Sequence, residues 1–227
     1  MFENVGNQFA GSPINTPLFG KKVGAWITFW VKHLKQKGLK PEQLAILLAD
    51  EPSESKPQDE LILAWAKPIR AANTGVKIWE DPQYSNPGKA NQEMMTSCHV
   101  LCPYLPTFLK RNQSDYYITQ LNKGIELEFY SAMGPAHLLC PYAYYRLQAW
   151  LCWKYGATGS SFWSFCDSYT LLFLDANSVT PGKQMEAIRE GVEDYEYLVM
   201  LKDAITKAEK RGVNSKPLDL AKILLTE

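Results

Sequence analysis

The run Leu44-Ala45-Ile46-Leu47-Leu48-Ala49 constrains the fold more than any other part of the chain. Its six apolar residues show no alternation. That is the pattern of a strand buried on both faces, and such strands belong to parallel sheets covered by helices. The run ends in two acids and a proline, Asp50-Glu51-Pro52. A single acid there reads as a cap or an ion-pair partner. Two in succession, at the end of a strand where α/β sheets place their chemistry, read as a catalytic pair. Pro52 is expected to hold Glu51 in an extended conformation.

The rest of the chain repeats a strand–helix unit. Thr16-Pro17 opens a helix in which Val23, Trp26, Ile27, Trp30, Val31 and Leu34 share one face, closing at Gly38. After the strand at 44–49, a helix from Gln58 to Ala72 carries Leu61, Ile62, Trp65 and Ile69, with Pro68 as a kink. Val76 to Trp79 is a short strand ending in Glu80-Asp81-Pro82. A helix over Asn91–Thr96, a strand over Cys98–Leu101, a helix near Leu105–Arg111, a turn and a strand over Ile125–Tyr130 come next. Pro141 opens a helix to Gly156, and Ser161–Cys166 is a strand ending at Asp167. A long helix from Lys183 to Arg211 and a short one over Leu218–Leu225 complete the pattern.

Strands alternating with helices at this spacing predict an α/β fold. The best architecture is the C-terminal part of a (β/α)₈ TIM-type barrel, with about five parallel strands, crossover helices and the N-terminal strands missing. Residues 1–227 are expected to form a single partial barrel, with an irregular lead-in over 1–16 and a helical tail over 212–227. About five strands leave two open edges, so missing N-terminal units or a second copy of the chain are expected to cover them. No glycine-rich phosphate loop succeeds a strand, which disfavours a dinucleotide fold.

Composition narrows the partners. With 46% hydrophobic and 12% aromatic residues the chain is globular material. A formal net charge of zero argues against nucleic acid. The lysines of the first forty residues (Lys21, Lys22, Lys32, Lys35, Lys37, Lys40) read as a solvated helix face. No apolar run is long enough to span a bilayer, and Met1-Phe2-Glu3-Asn4 shows no leader pattern. Five cysteines, an odd number, predict no disulfide framework.

Four segments together resemble the catalytic domain of glycoside hydrolase family 123 and its relatives, the domain of unknown function 4091. They are Leu48-Ala49-Asp50-Glu51-Pro52, Tyr145-Arg146-Leu147-Gln148-Ala149-Trp150, Gly156-Ala157-Thr158-Gly159 and Arg189-Glu190-Gly191-Val192-Glu193-Asp194-Tyr195-Glu196-Tyr197-Leu198. The resemblance covers roughly Ala45 to Leu201. It implies a barrel β-N-acetylgalactosaminidase with a retaining, substrate-assisted mechanism, needing no organic cofactor or metal. Glu51 would be the general acid/base and Asp50 the residue that orients the 2-acetamido group. The implied partner is a glycan with a terminal N-acetylhexosamine.

The chemistry of the residues agrees. Conventional glycosidases place two carboxylates on opposite sides of the bond, which neighbours in sequence cannot easily do. Neighbours suit the exception, in which the substrate's acetamido oxygen attacks C1. One of two close acids is also expected to keep its proton near neutral pH, here Glu51 beside an ionised Asp50. Successive strand residues point to opposite faces, so the rim must twist to bring both acids to one sugar. Tyr130 and Trp163 are candidates for the aromatic wall against the sugar, with core packing as the other reading of each. Asp81 and Asp167 are candidates for sugar hydroxyls or turn caps. Trp26, Trp30, Trp65, Trp150 and Trp153 fit core positions. Glu126 and Glu128 share a face, and Glu128 is the rival second carboxylate of a conventional pair. Cys98-His99 with Cys102 lacks the second half of a zinc motif, and His33 and His137 have no partner in sequence. The Arg189–Glu193 helix reads as a structural latch rich in pairs one turn apart.

Overall fold

The computed structural model describes residues 5–164 and 171–226. It divides into two compact units, residues 1–130 and 131–227.

The first unit opens with a small antiparallel hairpin, β1 (Gln8–Phe9) and β2 (Ser12–Pro13), where the sequence suggested an irregular lead-in. Helix α1 (Pro17–Gln36) starts where Thr16 Oγ1 accepts the Phe19 N–H at 3.2 Å. It buries Phe19, Val23, Ile27 and Val31. Strand β3 (Ala45–Leu47) is next, then α2 (Asp59–Ala71), β4 (Lys77–Glu80) and α3 (Gln92–Ser97). After these come β5 (Val100–Leu101), α4 (Leu105–Lys110), α5 (Ser114–Asn122) and β6 (Glu126–Ser131). Helix α5 occupies the stretch expected to be a turn; its polar surface hides a period that Tyr117 and Gln120 bury. Trp65 of α2 anchors the helical layer. Its ring meets those of Phe9, Phe19 and Trp26 edge-on, at 5.4, 5.1 and 6.4 Å between centroids. Its indole N–H donates to Gly6 O. Trp30, by contrast, is exposed and does not belong to the core.

Strands β3, β4, β5 and β6 pair in parallel in chain order, with Leu47 opposite Trp79, Glu80 opposite Leu101, and Leu101 also opposite Leu127. Each parallel step needs a crossover, which the intervening helices supply. Side chains alternate along the longer strands. Ile78, Glu80, Leu127 and Phe129 are buried, and Phe108 of α4 packs its ring on Phe129 at 4.8 Å. Lys77, Trp79, Glu126 and Glu128 lie half-buried on the opposite face. That open face is polar and internally paired.

In the second unit a π-helical turn over Pro141–Arg146 leads into α6 (Leu147–Tyr155), which ends at left-handed Gly156. Strand β7 (Gly159–Phe162) is fifth in the strand order and begins two residues earlier than the sequence suggested. An antiparallel hairpin comes after it, β8 (Leu172–Asp175) and β9 (Ser178–Pro181), which the sequence did not signal. Helices α7 (Lys183–Lys210) and α8 (Lys216–Thr226) end the unit. Among the described residues no helix is long and apolar enough to cross a membrane. The sequential parallel strands and their helices make this an α/β fold of the TIM-barrel type.

The charge-dense α7 is a latch within this unit. Arg146 Nε donates to Asp194 Oδ2 at 2.7 Å, its Nη2 to Oδ1 at 3.0 Å, and its Nη1 to Glu190 Oε2 at 2.8 Å. This planar fork holds the Asp194 carboxyl below its ordinary range. Trp150 is exposed instead of core, and its indole N–H donates to the same Asp194 carboxylate. Close approach needs Gly191, where an added Cβ would stand 2.7 Å from Arg146 O. Gly191→Ala is therefore expected to cost about 1–3 kcal/mol through forced separation of α7 from Arg146. Urea denaturation measures this as a lower midpoint with an unchanged slope.

Candidate active site

The β3–β4 backbone ladder has its last partners at Leu47 and Trp79. Beyond it, side chains take over the role of the strand. Glu80 Oε1 accepts the Leu48 N–H at 2.9 Å, and Asp81 Oδ1 accepts the Glu51 N–H at 2.9 Å. Two successive carboxylates thus receive the amides of the segment that carries Asp50 and Glu51.

Glu51 is not extended. Its φ is +51°, in the left-handed region, despite the proline after it. The expectation from Pro52 is overridden by the hydrogen bond to Asp81, a residue thirty positions away. The left-handed turn also settles how neighbouring acids escape strand alternation. The Glu51 carboxylate reaches β6, where the Tyr130 hydroxyl donates to its Oε1 at 2.6 Å. Gln83 Nε2 donates to the same hydroxyl at 2.6 Å, while Gln83 N donates to Pro52 O. Tyr104 lies beside Tyr130 with ring centroids 5.2 Å apart. Asp50 is half exposed and ion-pairs with Lys56 Nζ at 3.6 Å; the same ammonium donates to Asp50 O.

Tyr130 stands on the open face with Glu128 and Glu126. Trp79 Nε1 donates to Glu128 Oε2 at 2.7 Å, and Lys77 Nζ donates to both oxygens of Glu126, at 2.5 and 2.7 Å. Glu126 is therefore neutralised, whereas Glu128 has an oriented neutral donor.

Burial sets the electrostatics. The Glu80 carboxyl is pushed well above its usual range by desolvation first; the amides of Leu48 and Ala49 oppose the rise, and the charges of Asp81 and Asp50 add to it. Asp81 is raised to about 7, again by burial first. The Glu51 amide opposes that shift, and the Asp50 and Glu51 charges increase it. The Tyr130 phenol is raised by burial and then by the Glu51 carboxylate, so it stays a donor.

Of the sequence candidates, Asp50, Glu51, Asp81 and Tyr130 come together in the first unit. Asp81 takes a backbone amide, which neither a sugar-hydroxyl role nor a cap before Pro82 anticipates. Trp163 lies just past β7 in the second unit, 56% exposed, with its backbone N–H donating to Ser131 O. Asp167 lies outside the described residues. His99 Nδ1 accepts the Ile78 N–H, and Cys98 and Cys102 are buried. Among the described residues no group of His, Cys, Asp and Glu side chains is arranged to hold a metal ion. Sequence reasoning missed Glu80, Gln83, Lys56 and Tyr104. The signal for the first was present: Glu80-Asp81-Pro82 ends its strand as Asp50-Glu51-Pro52 ends the previous one.

A family 123 glycoside hydrolase from Clostridium perfringens, whose structure concerns glycolipid glycan hydrolysis, shares this fold. The TM-score is 0.60 at 12% identity, covering 87% of this chain and 38% of that one. A family 113 β-1,4-mannanase aligns at a TM-score of 0.38 and 10% identity, over 83% of this chain and 66% of its own. No family model and no curated protein matches the sequence. The chain spans well under half the length of the family 123 enzyme.

The buried carboxyls make stability depend on pH. A raised pKa means the folded chain keeps a proton that the unfolded chain releases, so wild-type stability should fall as pH rises from about 4 through 7. Glu80→Gln retains an acceptor for Leu48 with no charge to bury. It is expected to match wild type in urea denaturation at low pH and to exceed it at pH about 8.

Proposed function

We propose that this chain is the catalytic barrel portion of a retaining glycoside hydrolase that releases terminal N-acetylhexosamine, most specifically β-linked N-acetylgalactosamine. The observation that carries the reading is the adjacent pair at the end of β3: one carboxylate clasped by Tyr130, its neighbour half exposed beside Lys56. The shared fold with a family 123 hydrolase and the four segments in sequence support it.

The two acids have different surroundings, which suits different roles. Glu51 Oε1 receives the Tyr130 hydroxyl, leaving Oε2 to carry the transferable proton. In the first step the acetamido carbonyl oxygen attacks C1, the C1–O bond breaks, and the Glu51 proton passes to the leaving oxygen. Asp50 orients the acetamido group and stabilises the positive charge that develops on its nitrogen. The product of that step is a bicyclic oxazolinium. Water, giving a proton to Glu51, then adds to C1 from the leaving-group side, the bond between C1 and the acetamido oxygen breaks, and the acetamide is restored with net retention. Tyr130 is the proposed sugar contact within the first unit, and neither metal nor organic cofactor is required. Because the chain spans a fraction of the family 123 enzyme, units covering the open sheet edges, from the same polypeptide or a second copy, are part of the proposal.

A second reading rests on Glu128, oriented by Trp79 on the same face as Tyr130. There Glu128 is the nucleophile of a conventional pair with Glu51, and no acetamido group is needed.

The test is hydrolysis of an aryl β-N-acetylgalactosaminide, with the glucosamine and plain galactoside analogues as controls. Turnover confined to 2-acetamido substrates is expected; equal turnover of the galactoside favours Glu128. Absence of any turnover, even with the edges covered, indicates a sugar-binding or inactive barrel. Glu51→Gln is expected to lower kcat by about 10²–10⁴-fold on a poor leaving group, and Asp50→Asn to damage 2-acetamido substrates most. Wild-type-like rates in either variant would remove the mechanism.

A further inference from the structure

We propose that Asp81 is a positioning residue for the acid pair: by accepting the Glu51 N–H it holds Glu51 in the left-handed conformation that delivers its carboxylate to Tyr130, and this hold responds to pH. The proposal rests on the reading of Glu51 as the proton-carrying group.

A left-handed residue with a side chain costs on the order of 1 kcal/mol or more, and persists when its surroundings over-determine it. The residue before a proline has still less freedom. At Glu51 the determinants are few and specific. Tyr130 holds the side chain, and the Asp81 carboxylate holds the amide. Gln83 and the Ser53–Lys56 bridge fix residues beyond Glu51, through Pro52 O and reciprocal bonds of 3.1 Å, and the exposed Lys56 ammonium holds the Asp50 carbonyl on the other side of the same peptide. Without Asp81 the Glu51 amide would lose its acceptor, and the extended conformation favoured before proline would carry the side chain away from β6. Asp81 is 7% exposed, so solvent cannot readily replace it.

The hold depends on charge. A carboxylate accepts an amide hydrogen bond more strongly than a carboxylic acid does. Asp81 is faced by Asp50 and Glu51 from the end of β3, by its neighbour Glu80, and by the Tyr130 phenol from β6; Lys56 pairs with Asp50. In that setting burial raises Asp81 to about 7, so the acceptor changes its charge close to neutrality. As pH falls through that range the clamp weakens.

The experiment combines amide NMR with kinetics. In ¹⁵N-labelled wild type the Glu51 amide proton should titrate with a midpoint near that of Asp81, and Asp81→Asn should abolish this titration while keeping the bond through its amide oxygen. In Asp81→Ala the Glu51 amide should exchange with D₂O faster, by roughly tenfold or more. With an aryl β-N-acetylgalactosaminide, Asp81→Ala should lower kcat by about 10–100-fold with KM nearly unchanged, and Asp81→Asn should restore most of the rate. A Glu51 amide that ignores both substitutions overturns the proposal. So does a rise in KM, with kcat preserved, in both variants, which marks a direct sugar contact. If Asp81→Ala does not fold, the Asp81→Asn titration still decides. A wild type that turns over no substrate yet shows the Glu51 titration leaves the clamp standing and removes the glycosidase reading alone.

Discussion

One hydrogen bond, from the Glu51 amide to the Asp81 carboxylate at 2.9 Å, organises the site. It sits where the β3–β4 ladder has ended, and it continues that ladder with side chains in place of backbone. Glu80, immediately before Asp81, does the same for Leu48 from the helix-covered face of the strand. Two acids at the end of β4 thereby fix the conformation of the segment that carries two acids at the end of β3. The left-handed turn that results frees Glu51 from strand alternation and sends it to Tyr130.

The same arrangement explains how four carboxylates can gather at one end of the sheet. Burial pushes the Glu80 carboxyl well above its usual range and raises Asp81 to about 7, which disfavours charge on all four acids at once. Lys56 offsets Asp50 at the exposed rim. Deeper on the open face, Lys77 offsets Glu126 and the Trp79 indole orients Glu128. The face is therefore polar and ordered by its own pairs.

The strands were legible from their apolar residues, unbroken at 44–49 and alternating with polar ones at 76–79 and 125–130, and each appears within one or two residues of the expected place. The expectation that the first is buried on both faces is not met, because Ala45 is exposed and Ile46 and Leu47 are half-buried beside the open polar face. The α1 stripe was legible for the same reason, since Val23, Ile27 and Val31 recur with the helical period. Trp30 and Trp150 misled because spacing alone cannot distinguish a ring in the core from one on a helix flank, and Trp150 serves Asp194 instead. The β8–β9 hairpin was invisible because its apolar residues Phe173, Leu174 and Val179 are exposed and obey no burial pattern. The acid pair itself could be read from position. Its backbone could not, because the determinant is a carboxylate thirty residues away and local rules pointed to extended geometry.

The central claim is that Asp50 and Glu51 serve a sugar whose own acetamido group is the nucleophile. Calorimetric titration with a bicyclic thiazoline derived from N-acetylgalactosamine, a stable mimic of the oxazolinium intermediate, addresses it without requiring turnover. The account predicts saturable binding to the barrel with its edges covered, at least about tenfold tighter than N-acetylgalactosamine and largely lost in Asp50→Asn. Binding no tighter than galactose, or unchanged by Asp50→Asn, would contradict it.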